Sequence, residues 1–93
     1  MANKLNEAEV EKAMRSAPDW KREVDSINRK FTFKDFVEAM QFVNQVADVA
    51  EAADHHPDIF ISYKNVTLTL STHSAGGLTD ADFEMARRID KLG

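Results

Sequence analysis

Cysteine is absent from the 93 residues, so neither a disulfide framework nor a thiolate metal site is available, and the composition fits a reducing compartment. No apolar run approaches the roughly 18 residues of a membrane span, and the N-terminus lacks the apolar core of a signal peptide. The expected location is cytoplasmic, with no membrane partner. Positive charge is not in excess either. Twelve Lys and Arg stand against 16 Asp and Glu, a net charge of -4, and the basic residues are scattered rather than striped, which argues against direct nucleic-acid binding. No internal repeat, low-complexity segment or linker divides the chain. Residues 1–93 read as a single domain whose 43% apolar content suffices for one core with little area to spare, so self-association would add burial.

Asn6 followed by Glu9 is a variant of the capping box, and Leu5 with Val10 stands at hydrophobic-staple spacing. Together they predict a helix from Glu7, with Val10, Ala13, Met14 and Ala17 as its apolar stripe and Pro18 as its end. Residues 20–24 are strand-like. After a polar turn at Asp25 and Ser26, the alternation from Ile27 puts Ile27, Phe31 and Phe33 on one face, completing a hairpin. Over residues 34–54, Phe36, Met40, Val43, Ala47 and Ala50 recur at helical spacing, which predicts a long amphipathic helix closed by Pro57. Its Met and Phe stripe is assigned to core or subunit packing. Residues 59–63 and 66–72 flank a short turn at Lys64 and Asn65 and predict a second hairpin. In it Val66, Leu68 and Leu70 face one way, and Thr67, Thr69, Ser71 and His73 the other. After a flexible break at residues 75–77, Thr79 with Asp82 offers a cap and Leu78 with Phe83 a staple for a last helix running to about Lys91. The order α-β-β-α-β-β-α predicts an α+β fold, a four-stranded antiparallel sheet with three helices on one face.

All three histidines fall within a short stretch: His55 and His56 after the long helix, His73 at the end of a predicted strand. Imidazole both gives and takes protons near neutral pH, so clustered histidines suggest acid/base chemistry or a metal. Antiparallel pairing returns the end of the second hairpin's last strand to the start of its first, beside the helix terminus. The three imidazoles can thereby converge. Three histidines with an open position also suit a catalytic zinc, but adjacent ligands point in different directions and no His-Glu-x-x-His pattern is present. Glu51, four residues before His55, can project from the same helical face.

The run from Glu51 through Asp54, His55, His56 and Pro57, the Phe31, Thr32, Phe33, Lys34, Asp35, Phe36 stretch, Trp20, and the strand running from Thr67 through Leu70, Ser71, Thr72 and His73 resemble pterin-4a-carbinolamine dehydratases in order and spacing. The resemblance spans most of the chain. It implies dehydration of 4a-hydroxy-tetrahydropterin, the carbinolamine left when an aromatic amino acid hydroxylase uses tetrahydrobiopterin, to quinonoid dihydropterin and water. A proton must reach the departing hydroxyl and another must leave N5, so two groups titrating near neutrality meet the demand. No metal or redox cofactor is implied. By resemblance His55 and His73 form the acid/base pair, and His56 binds and orients the pterin and shares the proton work. Glu51 and Asp54 are carboxylates that hold imidazoles, and Trp20 is a residue near the pocket.

One position departs from the family pattern. Animal members carry an arginine where this chain has Ala81, so a contact made by that guanidinium is lost. The resemblance also implies homodimers or homotetramers. Animal relatives further act as dimerisation cofactors of a homeodomain transcription factor, so a protein-binding module without required catalysis is the competing function.

Overall fold

A computed structural model of the chain describes residues 3–92. Helix α1, Glu7–Met14, starts at Asn6, whose side chain accepts from the Glu9 N–H while the Glu9 carboxylate accepts from the Asn6 N–H, the predicted reciprocal cap. Strands β1 (Lys21–Arg22) and β2 (Ile27–Thr32) form the first hairpin, α2 spans Phe36–Ala53, and β3 (Asp58–Ser62) and β4 (Asn65–Leu70) form the second. Helix α3, Asp80–Asp90, follows a single 3-10 turn at His73–Ala75. The sheet is antiparallel throughout, in the order β1-β2-β4-β3.

One face of the sheet makes the core. Ile27 pairs with Leu70 and Phe31 with Val66 across β2 and β4, and these four side chains are buried together with Leu68, Phe42, Val46, Phe83, Met85 and Ile89. The alternation read from the sequence therefore points the right way on both central strands. Arg29 shares the parity of Ile27 and Phe31 and is not wasted there. Its guanidinium lies 4.3 Å from the centre of the Phe31 ring and donates to Asp90 Oδ1 at 2.6 Å.

Three expectations shift. The strand expected over residues 20–24 is reduced to Lys21–Arg22, with Val24 left in solvent, because no partner extends beyond the Arg22–Ile27 pair. The buried stripe of α2 is Ala39, Phe42, Val46 and Ala50. Phe36 and Ala47, expected inward, are exposed. A helix with apolar residues on more than one face gives two nearly equivalent stripes, and packing selects the one that meets the sheet. Third, the β3–β4 turn is Tyr63 and Lys64, one residue earlier than expected, since Ser62 pairs with Asn65. Tyr63 takes the left-handed conformation, φ 53, that a two-residue hairpin turn demands at its first position.

Candidate functional site

The end of α2 is sharp. Asp54 adopts a left-handed conformation, φ 51 and ψ 42. Its N–H reaches Glu51 O at 3.3 Å, and the His55 N–H reaches back to Ala50 O at 3.1 Å. This reversal closes the last carbonyls of the helix. It also takes His55 off the helical repeat, so the expected Glu51–His55 neighbourhood at four residues' spacing does not form. The Glu51 carboxylate instead meets His56, Oε2 to Nε2 at 2.5 Å, with both side chains exposed. What the structure shows at Asp54 is a backbone role in this cap.

His55 turns toward α3. Its Nε2 lies 2.6 Å from Oδ1 of Asp82, a side chain with no solvent exposure. The other oxygen of that carboxylate accepts from the Thr72 hydroxyl at 2.8 Å and from the Thr79 N–H at 2.9 Å. With the Thr72 proton committed to Asp82, the Thr79 hydroxyl donates to Thr72 Oγ1 across 2.9 Å. Both oxygens of the buried carboxylate are thus engaged, through three contacts, and no buried side-chain polar atom is left without a partner among the described residues. A carboxylate accepts only, so it fixes the proton of His55 on Nε2 and leaves Nδ1 for exchange with a ligand. Sequence reasoning placed Thr79 and Asp82 at a helix cap but missed the second use of Asp82. The signal was an acid at the third helical position, which a cap alone already explains.

His73 is displaced from its expected position. Strand β4 ends at Leu70, and Thr72 and Gly77 then close a small loop through Thr72 N–H to Gly77 O at 3.0 Å and Gly77 N–H to Thr72 O at 3.3 Å. His73 opens the 3-10 turn inside that loop, and Gly76, at φ 77, supplies the left-handed residue that ends it. The register nonetheless does what the topology argument required. Asp58 pairs with Thr69, so the chain just after His56 runs beside the chain leading to His73.

The three imidazoles come to the same end of the sheet but do not line one cavity. His55 lines a cavity of about 240 Å³ between the end of α2 and the face of α3, with Ala52, Ala53, Ala81, Glu84, Met85 and Arg88. His73 lines another of about 390 Å³, with Asp58, Thr69 and Ser71 among its neighbours. Asp82 links the two regions, since it holds the His55 ring and the hydroxyl of Thr72, the residue just before His73. Trp20 lines neither cavity. It is buried in the core, edge-on to Phe31, and its indole N–H donates to Asp90 Oδ1 at 2.8 Å. No group of three or more His, Asp or Glu residues is gathered as a metal site among the described residues.

A family model described as pterin 4 alpha carbinolamine dehydratase matches residues 3–92. A protein of Picosynechococcus sp. is 49% identical over 92 residues, covering 99% of this chain and 100% of its own. One of Koribacter versatilis is 49% identical over 92 residues, covering 99% and 98%. Both carry the provisional name pterin-4-alpha-carbinolamine dehydratase. The crystal structure of a transcriptional coactivator/pterin dehydratase from Brucella melitensis is similar with a TM-score of 0.92 at 41% identity, covering 97% of this chain and 98% of that one.

Proposed function

This chain belongs to the pterin 4 alpha carbinolamine dehydratase family, and we propose that it converts 4a-hydroxy-tetrahydrobiopterin to quinonoid dihydrobiopterin and water by histidine acid/base catalysis. Beyond family membership, the observation that carries this reading is the His55–Asp82 pair, an imidazole beside a cavity with its Nε2 proton fixed by a buried carboxylate. In the elimination the C4a–O bond breaks as its oxygen takes a proton and leaves as water. The N5 proton goes to a base, and the N5–H electrons become the new double bond. An imidazole with one nitrogen anchored and the other free can serve either transfer. We assign that work to His55 and His73, with His56, braced by Glu51, orienting the ring and sharing the proton traffic. Asp54 supports this group by setting the turn that aims His55. The product is a pterin awaiting reduction, so the reaction fits downstream of an aromatic amino acid hydroxylase.

Proton transfer accounts for this reaction without an ion. Purified protein treated with chelator is therefore expected to turn over chemically generated 4a-hydroxy-tetrahydropterin at its untreated rate, above the spontaneous background. Loss of activity on chelation with recovery on adding zinc would overturn the acid/base reading.

A protein-binding role is favoured by a separate observation. Edge strand β3 leaves Ile59, Phe60 and Ile61 in solvent, Phe60 at 66% exposure, and Phe36 and Val37 are exposed at the start of α2. A long apolar edge invites strand pairing, and a second copy of this chain is the occupant we favour, as a homodimer or a homotetramer. Light scattering at micromolar concentration is expected to give at least twice the 10.5 kDa chain mass, and Phe60→Glu is expected to lower it. A wild-type monomer would leave these surfaces for a different protein, as in a coactivator.

A further inference from the structure

His55 is held by Asp82 and His56 by Glu51, whereas the His73 side chain has no such bond among the described residues. Its aim is set by the loop that carries it. Besides the Thr72–Gly77 pair, the Ala75 N–H reaches Thr72 O at 3.0 Å and the Gly76 N–H reaches His73 O at 3.1 Å. A single turn of this kind has too few bonds to persist alone, so the groups that hold it from outside matter. Three segments meet at Gly77. The Leu5 N–H donates to Leu78 O at 2.8 Å, which lays the chain before α1 along the residue that follows the loop. The Lys4 side chain then crosses Gly77, and Asp25, in the turn between β1 and β2, closes the other side, with Lys4 Nζ 3.9 Å from Asp25 Oδ1. The two glycines of the loop serve different ends. Gly76 supplies a left-handed φ in open space, whereas Gly77 has no positive φ and no room for a side chain. A methyl group there would stand 3.3 Å from Asp25 Oδ1 and 2.9 Å from Lys4 Cε, the latter well inside the roughly 3.5–4.0 Å at which carbons pack.

Resting on the dehydratase reading above, we propose that Lys4 and Asp25 form a strap across Gly77 and are positioning residues for His73. His73, Gly76, Gly77 and Asp25 line one cavity, whereas Lys4 lines the neighbouring one with Leu5, Arg22 and Leu78. Lys4 therefore reaches the reaction through the loop and not through the ligand. Glycine at position 77 is what lets the strap lie flat against the backbone. The loop is tied twice: inward by the Thr72 hydroxyl on Asp82, outward by the strap. The Lys4 and Asp25 side chains are 56% and 58% exposed, and an exposed pair adds little to global stability. What the strap changes is local opening, in which a loop leaves its native position while the core stays folded. Misplacing a proton-transfer group by about 1 Å can cost roughly 10²-fold in rate, so a strap of small stability carries a large share of the order that His73 needs.

The test reads the order of the loop and the rate separately. Lys4→Ala is expected to speed amide exchange of Gly76 and Gly77, whose N–H groups are bonded inside the loop, by roughly 10-fold with the thermal melt unchanged. It should also lower kcat for the carbinolamine by roughly 10-fold with KM held within about twofold, and Lys4→Arg, which keeps the stem and the charge, should restore both. Gly77→Ala displaces the strap from its other side, so its loss in kcat and that of Lys4→Ala should not add in the double variant. Additive losses there, or unchanged exchange in Lys4→Ala, overturn the strap, and a fall in kcat without faster exchange marks a charge effect in its place. Faster exchange with wild-type kcat overturns the positioning role. Absence of turnover by wild type overturns the dehydratase reading and the catalytic role of the strap with it, while exchange still decides whether Lys4 orders the loop. Lys4→Ala alters an exposed side chain and is expected to fold, so it decides the matter even where Gly77→Ala does not.

Discussion

His55→Ala and His73→Ala are each expected to lower kcat for carbinolamine dehydration by roughly 10²-fold or more, the range that a positioned general acid or base contributes. The two losses come from different surroundings. His55 is three-quarters or more buried and held by Asp82, so its removal also frees a buried carboxylate oxygen. His73 is exposed at the start of a 3-10 turn, and its removal should leave the thermal melt unchanged. His56→Ala should chiefly raise KM, because its ring is braced by an exposed carboxylate and sits outside the buried network. An acid and a base must be in opposite protonation states in the active form, so wild type should show a bell-shaped dependence of kcat/KM on pH. Replacing either partner should remove one limb, and the two limbs belong to the coupled pair rather than to single residues. Turnover of both variants at the wild-type rate would reject the acid/base assignment and leave protein binding as the better account of the chain.

Much of the fold was legible because its local signals agree with one another. The cap at Asn6, the alternation through Ile27 and Phe31, and the parity of Val66, Leu68 and Leu70 each point to the burial observed. The phase of α2 was not legible. Phe36 and Met40 make as good a stripe as Ala39 and Phe42 until the sheet is in place, and alanine carries little weight in a pattern although it is what lets the helix lie close. Trp20 was drawn toward the pocket by resemblance, whereas its indole N–H needs a partner in the core and finds Asp90, a residue of the last helix. The geometry of the candidate site was only partly legible. Its histidines stood out by type, but the residue that organises His55 did not, because Asp82 is 27 positions away and doubles as an ordinary cap residue. The sequence spacing places Glu51 beside His55, whereas its carboxylate stands beside His56. The spacing rule that paired it with His55 holds only inside a helix, and the left-handed Asp54 ends that helix one residue too soon.

Asp82 is where stability and activity separate most clearly. Asp82→Ala strands three donors at once, the buried Thr72 hydroxyl and Thr79 N–H and the largely buried His55 ring N–H. At about 1–3 kcal/mol for each unmet buried group, and with partial repair between the two threonines, a loss of about 3 kcal/mol follows. That is a large part of the roughly 5–15 kcal/mol that holds a small domain together, and it should lower Tm by roughly 10–20 °C. Asp82→Asn behaves differently. Its carbonyl oxygen can keep the Thr72 and Thr79 bonds, which turns the amide N–H toward His55 Nε2 and makes that nitrogen an acceptor. The proton of His55 then moves to Nδ1, the nitrogen that must be free to accept one. The variant is expected to lose about 1 kcal/mol or less of stability but roughly 10²-fold or more in kcat, with the tautomer change read directly from the 15N shifts of the His55 ring. A merely structural Asp82 would lose Tm and kcat in step, and Asp82→Asn would then retain the activity its stability allows. Wild-type kcat in a folded Asp82→Asn, with Nε2 still protonated, would remove the buried carboxylate from the mechanism and return the choice of proton acceptor to His56 and His73.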